Sequence, residues 1–492
     1  KCPVALSRSS VVMSLKLFRH IRCVLPLVKR QFSILSVDNP YSGEVVYSEE
    51  MATDDEVRDS FQRSLNCFQT WRHTSLDERI SLCKRVVDGM QQDPLMCAEI
   101  SAQMGKPLSQ AYSEGVGCVD RANTMISLAP EALKDHEIST NSEELRRITR
   151  EPIGPVLCLS PWNYPLLCAV NVIIPAVLSG NTVLVKHSSR TPKCSFHFSD
   201  HFRKAGAPDG LVQSILANHS QIASLIENAS IAYVSFTGSV EGGRQIQQSA
   251  SKRFIDVGLE LGGKDPAYVS SNADVEKAAI GIVDGSMYNA GQSCCAVERV
   301  YVHSSHYERF LELCEREIKK YVLGDPDNAK TTMGPLAQPN AVDFLTEQVE
   351  DAIRKGARLI CGGKGTTDST GKGRFFQPTL LADCTHEMDV IINESFGPIL
   401  PVVQVSSDEE AIQKMNDSDF GLTASIWTCS REHALELCAH LNVGTVFQNR
   451  SDSLDPRLPW SGRKDSGKGI SLSHLGFAPF SRTKSYNFAP EG

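Results

Sequence analysis

The spacing of apolar residues changes near residue 156 and divides the chain into a helical first part and an alternating second part. From residue 33 to about residue 134 most apolar positions recur every three to four residues, which predicts helices. One start is marked by Ser75 and Glu78, a capping box, and the apolar run behind it ends at Asp93. This first part predicts packing helices without chemistry of their own.

Beyond residue 156, short apolar runs bounded by Gly and Pro alternate with helical segments, which predicts βαβ units and a parallel sheet. Strands are expected at residues 156–159, 182–186, 231–236 and 254–257. A second run of alternation predicts a second α/β domain, with strands at 299–302, 399–403 and 425–427 and helices at 307–321 and 431–441.

Polar and glycine residues follow the predicted strands of the first sheet, where open parallel sheets bind ligands. Asn163, Lys186, Gly238 and Glu260 all lie at this edge. The glycine-rich run at 237–243 follows a strand and opens a helix, which would offer N–H groups to a phosphate. It is not G-x-G-x-x-G, so taken alone the run favours a plain tight turn over a phosphate site.

An acid and a thiol stand out for their surroundings. Glu260 lies in Leu-Glu-Leu-Gly-Gly-Lys and Cys294 in Gly-Gln-Ser-Cys-Cys. A catalytic cysteine needs a pocket that favours its thiolate and a nearby base, and the glycines allow close backbone approach. With 16 cysteines in 492 residues, the default for any one of them is a small buried apolar side chain, and the default for a lone glutamate is a solvated one.

Several motifs together resemble the aldehyde dehydrogenase superfamily from about residue 33 to the end. The acid and the thiol are 34 positions apart, the family's interval. The other matching stretches, in the family's order, are Pro-Trp-Asn-Tyr-Pro at 161–165, Val-Lys-His-Ser-Ser-Arg-Thr-Pro at 185–192, the glycine run at 237–243 and Glu-Ser-Phe-Gly-Pro at 394–398. The resemblance implies an α/β fold of aldehyde dehydrogenase type, with a Rossmann-type parallel-sheet cofactor domain, a second α/β catalytic domain and a small bridging β element.

The resemblance also implies catalytic roles. Cys294 would attack an aldehyde carbon, and the Asn163 amide with the Cys294 N–H would hold the oxyanion. Hydride transfer would leave a thioester, which Glu260 would hydrolyse by activating water. Cys295 is the less favoured nucleophile, because the family places its reactive thiol two residues after Gln292.

NAD or NADP is the implied cofactor. The residues assigned to it by resemblance are Trp162, Lys186, Ser189, Gly238, Ser239, Glu394 and Phe396. Many NAD-preferring members carry Glu where this chain has Ser189, followed by Arg190. Loss of that carboxylate removes repulsion of a 2′-phosphate and a guanidinium would attract one, so we expect NADP to be tolerated.

After an N-terminal segment of 32 residues, the chain is expected to have four structural parts. These are a dinucleotide-binding domain at 33–134 and 152–260, a catalytic domain bearing the thiol at 261–446, a bridging or oligomerisation element at 135–151 and 470–492, and a Gly-rich segment at 447–469. The bridging stretch alternates like a hairpin, the alternative being a solvated linker. A homodimer or homotetramer is implied by the resemblance.

Residues 1–32 carry seven basic residues and no acidic one, which is typical of a mitochondrial transit segment. The expected location is therefore the mitochondrial matrix, and otherwise the cytoplasm; a basic arm without targeting function is the alternative. Without this segment Lys plus Arg falls from 50 to 43 against 58 acidic residues, so the net charge moves from −8 to −15. Such an acidic body makes nucleic acid an unfavourable partner. No apolar run reaches the ~18 residues of a membrane span, so an integral membrane protein is not expected.

The substrate is expected to be a small aldehyde. Stretches at 186–192 and 446–456 resemble the succinate-semialdehyde dehydrogenase-like branch, in which Arg450 would bind a carboxylate, although a structural ion-pair role is the commoner one. Three alternatives stay open: an acylating, coenzyme A-dependent semialdehyde dehydrogenase, a thiol hydrolase, and an inactive structural homologue.

Overall fold

The computed structural model describes residues 33–138 and 144–489, so the predicted transit segment lies outside the described residues. The first part is helical as predicted, and the capping box of Ser75 and Glu78 opens the second helix. An antiparallel hairpin precedes the helices and was not predicted, because most of its side chains are exposed and show no clear alternation. The elements are β1 (Ile34–Asp38), β2 (Val45–Glu50), α1 (Asp54–Trp71), α2 (Leu76–Gln91), α3 (Leu95–Met104) and α4 (Leu108–Ala132). No helix in the described ranges is both long and apolar enough to cross a membrane.

A parallel sheet follows two strands of the bridging segment, β3 (His136–Glu137) and β4 (Leu145–Pro152). Its elements are β5 (Pro155–Ser160), α5 (Pro165–Leu178), β6 (Thr182–His187), α6 (Lys193–Lys204), β7 (Val212–Ser214), α7 (His219–Asn228), β8 (Tyr233–Thr237), α8 (Val240–Ala250) and β9 (Asp256–Glu260). The strands run parallel in the order β9-β8-β5-β6-β7. Every residue of β5 is buried, because helices cover both faces of the sheet.

Two strand predictions were shifted along the chain. β8 and β9 each begin two residues later than expected. Phe254 is fully exposed on the turn before β9, so an apolar residue there does not mark the start of a strand. The carboxyl ends of β5, β6, β8 and β9 nevertheless meet at one edge, as predicted.

Residues 265–448 form the second α/β unit, which contains the second sheet. Its elements are β10 (Asp265–Val269), α9 (Val275–Met287), β11 (Val297–His303), α10 (Tyr307–Ile318), α11 (Ala341–Arg354), β12 (Arg358–Cys361), β13 (Gly365–Thr366), β14 (Phe375–Phe376), β15 (Thr379–Ala382), α12 (Asp389–Ile392), β16 (Ile399–Val405), α13 (Asp408–Asn416), β17 (Phe420–Gly421), β18 (Thr423–Trp427), α14 (Arg431–Cys438) and β19 (Thr445–Gln448). Seven of its strands pair in the order β12-β15-β16-β11-β10-β18-β19, parallel except for β12. β19 carries this sheet past residue 446, where we expected it to end.

The C-terminal segment packs against the first sheet and against the bridging strand β4. It contains β20 (Arg463–Lys464), β21 (Gly467–Lys468) and β22 (Ser481–Phe488). β21 adds to the first sheet by pairing antiparallel with β9. β22 pairs along the whole of β4, which also pairs with β3, and so forms the small β element that the resemblance implied.

Candidate active site

A cavity of about 520 Å³ lies where the carboxyl edge of the first sheet meets loops of the second. The loops that precede β11 and β16 supply its far wall. All ten residues assigned from the sequence line it: Trp162, Asn163, Lys186, Ser189, Gly238, Ser239, Glu260, Cys294, Glu394 and Phe396. Groups separated by more than 200 positions in sequence therefore share one space.

The loop before Cys294 has a constrained backbone. Asn289, Ala290 and Gly291 all have positive φ angles, a conformation that side chains disfavour. A Cβ on Gly291 would lie 2.2 Å from the carbonyl oxygen of Gly397, so only glycine allows this approach. The loop leaves Cys294 partly exposed on the cavity wall.

Gly263 brings the acid strand and the thiol loop together. A Cβ there would lie 2.2 Å from the Cys294 carbonyl oxygen, too close for any side chain. The connection from β9 to β10 therefore packs directly against the backbone of the thiol loop.

The two adjacent cysteines face different surroundings. Cys295 is buried away from the cavity, and its Sγ donates to Asp452 at 2.9 Å. Its hydrogen bond with Cys294 and its burial raise the pKa of Cys295 well above the usual thiol value. Cys295 is therefore poorly placed and poorly ionised for attack on a ligand in the cavity.

Glu260 ends β9 with its carboxylate on the cavity wall. Ser471 donates to it at 2.6 Å and Thr237 at 3.2 Å. Burial raises the pKa of Glu260 above its usual value, and these two donors oppose part of the rise. A carboxylate with a raised pKa can exchange protons nearer neutral pH than a solvated one.

Two hydrogen-bond donors lie near the thiol. The Asn163 side-chain amide donates to the Gln292 carbonyl at 3.2 Å, which holds it against the thiol loop. The backbone N–H of Cys294 has no acceptor within the described part of the chain. Because Asn163 Nδ2 carries a second hydrogen with no acceptor among the described residues, both groups can still donate to an oxygen bound in the cavity that Cys294 lines.

A buried ion pair that no sequence motif marked positions Asn163. Lys106 and Glu114 pair with their side chains almost fully buried. Lys106 Nζ also donates to the Asn163 carbonyl at 2.7 Å, and Glu114 accepts from the Leu166 N–H at 2.9 Å. Their spacing within helical sequence is indistinguishable from that of two surface charges, so only the fold identifies them.

The other end of the cavity has groups suited to a dinucleotide. Lys186 has no hydrogen-bond acceptor among the residues described, and burial lowers the pKa of its ammonium group. Ser239 caps α8, whose N-terminus points its first N–H groups toward the cavity edge. The Gly238 N–H does not face a ligand as expected, because it donates to the Glu260 carbonyl at 3.1 Å. The N–H groups that remain for an anion at this edge are those of the first turn of α8.

Glu394 lies in a loop that a second buried pair holds in place. Glu298 accepts from the N–H groups of Ser395 and Phe396 at 2.8 Å each, and Lys264 Nζ lies 2.8 Å from it. Burial, reinforced by the Glu298 charge, raises the pKa of Glu394 to about 8. Among the described residues, only the Gly263 N–H donates to the Glu394 side chain, so its oxygens can still accept from hydroxyl groups. Phe396 packs edge-on against Trp162 with ring centroids 5.4 Å apart.

Neither of the two arginines considered from the sequence lines the cavity. Arg190 is buried and pairs with Asp38 of β1, so its guanidinium does not reach the cavity. Arg450 contacts Ser453 and borders a separate surface recess rather than the cavity of Cys294. His219, at the first position of α7, lines the cavity and lies close enough to Lys186 to interact with its charge, and no sequence motif marked it.

A nicotinamide dinucleotide fits these residues. Lys186, which has no acceptor among the described residues, the N-terminus of α8 and the Glu394 carboxyl group all line one cavity, and together they offer partners for ribose hydroxyls and a pyrophosphate. A parallel sheet with such a cavity at its carboxyl edge, facing an accessible thiol, defines a dinucleotide-dependent α/β enzyme.

Comparison with known proteins gives the family. The profile of the aldehyde dehydrogenase family matches residues 28–486. An aldehyde dehydrogenase of Paenarthrobacter nicotinovorans is 35% identical over 92% of this chain and 99% of its own, and an NADP-dependent succinate-semialdehyde dehydrogenase of Mycobacterium avium is 32% identical over 91% and 95%. The solved structure of the Streptococcus pyogenes succinic semialdehyde dehydrogenase with NADP+ superposes with a TM-score of 0.88 at 30% identity, covering 93% of this chain and all of that one.

The chain belongs to the aldehyde dehydrogenase family. The fold class, the enzymatic nature and the use of NAD or NADP predicted from the sequence are thereby confirmed. The protein is an NAD(P)-dependent enzyme that oxidises an aldehyde.

Proposed function

We propose that Cys294 and Glu260 divide the oxidation of the aldehyde to its acid between them. The observation that carries this is their shared cavity, although one ends a strand of the first sheet and the other precedes a strand of the second. The Cys294 thiolate attacks the carbonyl carbon and forms a C–S bond. The carbonyl oxygen becomes an oxyanion that Asn163 Nδ2 and the Cys294 N–H stabilise, each by ~3 kcal/mol.

The second half of the reaction uses the acid. When bound, NAD or NADP would supply the acceptor for the hydride that leaves the carbon, and a thioester to Cys294 would remain. Glu260 then takes a proton from water, whose oxygen attacks the thioester carbon. The C–S bond breaks, the acid leaves, the thiolate is restored and Glu260 releases its proton to solvent.

The remaining cavity residues are proposed to hold the cofactor. Lys186 and Glu394 are suited to ribose hydroxyls, and the first turn of α8 behind Ser239 is suited to the pyrophosphate. Trp162 and Phe396 would flank the nicotinamide. Each of these residues lines the cavity.

We further propose that NADP is accepted as well as NAD. Ser189 places no negative charge where a 2′-phosphate would lie, and Lys186 and His219 line the same end of the cavity. Arg190 has no part in this, since it is paired with Asp38. The named relatives that use NADP are in accord with this proposal.

Succinate semialdehyde is the first substrate to test, because relatives named for it match over most of the chain. Butanal, which has the same carbon count without the carboxylate, is the matched comparison. A preference for the semialdehyde would have to come from a cation other than Arg450, which lies outside the cavity.

Mitochondrial import and self-assembly stay predictions from the sequence. The targeting prediction rests on residues 1–32, and the relatives named above are bacterial, so they lend it no support. For assembly, β22 is an edge strand of the three-stranded sheet, its outer edge has no partner among the described residues, and it ends at the exposed Phe488. Fractionation of cells and light scattering of the purified protein would test the two predictions.

The function is tested by following NADH and NADPH formation with both aldehydes. We expect acid as product with or without coenzyme A, which excludes the acylating alternative. Cys294→Ala should reduce turnover by about 10³-fold or more, whereas Cys295→Ala should retain it within about ten-fold. Equal losses in the two variants, or an acyl-coenzyme A product, would contradict the proposal.

A further inference from the structure

Three potential metal ligands converge on the outer surface of the first domain, away from the cavity. Asp93 lies between α2 and α3, and His197 and His201 lie on α6. Within residues 33–138 and 144–489, they form the one group of three His, Cys, Asp or Glu side chains with ligand atoms close enough to share an ion.

The distances between the ligand atoms suit a small cation. Asp93 Oδ2 lies 3.0 Å from His201 Nε2 and 3.4 Å from His197 Nδ1, and all three atoms lie within 4.8 Å of one another. Ligands about 2.0–2.1 Å from a tetrahedral ion are separated by about 3.4 Å. The two measured contacts already have nearly that spacing.

The local structure holds the three groups in place. His197 and His201 are four residues apart and so project from one face of α6. The Leu95 N–H donates to Asp93 Oδ1 at 2.9 Å, so the other carboxylate oxygen, Oδ2, faces the histidines. At Gly89 a Cβ would lie 3.1 Å from His201 Nδ1, so glycine gives the ring its room.

The charges around the cluster also suit a cation. Glu99 lies near His197 and adds negative charge, although it pairs with Lys193. Arg85 borders the same recess, but its guanidinium is engaged by the Ala205 carbonyl at 3.0 Å.

We propose that Asp93, His197 and His201 form a binding site for a divalent first-row transition ion, Zn²⁺ in particular. Two imidazoles and one carboxylate are ligands of the type that zinc prefers, and water would complete the tetrahedron from the open side of the recess. The ion would tie the loop between α2 and α3 to α6. Its role would be to stabilise this layer of helices, not to take part in aldehyde oxidation.

Equilibrium dialysis of the full-length enzyme against Zn²⁺, with metal content measured per chain, tests the site. Cysteines elsewhere will bind some zinc, so the informative quantity is the difference between variants. His197→Gln and Asp93→Asn should each lose about one equivalent or bind it at least about ten-fold more weakly. His440→Gln, a change at an exposed histidine outside the cluster, should bind as the wild type does.

A second measurement separates binding from damage to the fold. Zn²⁺ should raise the melting temperature of the wild type and of His440→Gln more than that of the two cluster variants. Without metal the Asp93→Asn variant should melt near the wild type, because its amide oxygen can still accept from Leu95. Equal zinc content and equal thermal shifts in all four proteins would show a plain Asp–His hydrogen-bonded pair and overturn the proposal.

Discussion

The charge of Glu260 is set by two opposing effects that act on one side chain. Burial beside the cavity favours the protonated acid, and the hydroxyls of Ser471 and Thr237 favour the carboxylate. Only the carboxylate can accept a proton from water. The proposed hydrolysis step should therefore slow as the pH falls through the raised pKa of Glu260.

Removing one of these donors should move that pH dependence. In Ser471→Ala the carboxylate loses a hydrogen bond, its pKa rises further, and the acid limb of the kcat profile should shift to higher pH. The exposed Ser109 offers a control, since Ser109→Ala should leave the profile unchanged. A shift of the limb to lower pH in Ser471→Ala would contradict this role.

The role of a residue could not be predicted from sequence where it depends on the direction in which the side chain points. Arg190 follows the cofactor lysine closely, but the chain turns its side chain inward to Asp38, 152 positions earlier. Cys294 and Glu260 were found because two motifs and their interval matched a known family together. His219 carries no motif, so only the fold brings it to the cavity.

Ser189 allows a direct test of cofactor choice. A Ser189→Glu variant would place a carboxylate beside the expected 2′-phosphate, so kcat/KM with NADP should fall about ten-fold or more while NAD changes little. Ser189→Ala is the matched control and should change neither value greatly. If the ratio of kcat/KM with NADP to kcat/KM with NAD were unchanged in Ser189→Glu, residue 189 would not contact the 2′-position of the cofactor.

Strands and helices were predictable where burial gives a clear pattern. β5 and β6 lie inside the first sheet, and their apolar runs predicted the ends of both strands to within one residue. β1 and β2 are mostly exposed and were missed. The contact between α4 and the start of α5 through Glu114 joins elements about 50 positions apart, which periodicity cannot reveal.

That contact should be costly to break. Glu114→Ala leaves the Lys106 ammonium buried without its partner, so unfolding should become easier by about 3–5 kcal/mol in urea titration. Glu315→Ala, which removes an exposed pair with Lys319 on α10, should cost less than about 1 kcal/mol. Similar losses in the two variants would show that the buried pair does not hold α4 against α5.

At the scale of the whole molecule, the enzyme works because two sheets present their groups to one space. The first sheet supplies Glu260 and the second supplies Cys294, and Gly263 permits the backbone contact between them. The sequence predicted two α/β units but could not give their relative placement. The resemblance supplied that expectation, and the cavity geometry agrees with it.

Intact-mass spectrometry of Glu260→Gln after mixing with aldehyde and NAD tests the division of labour between acid and thiol most directly. Our account predicts a single burst of NADH and a protein that is heavier by one acyl group. Both the burst and the added mass should be absent from the double variant that also carries Cys294→Ala. Steady turnover without an adduct, or an adduct that survives Cys294→Ala, would contradict it.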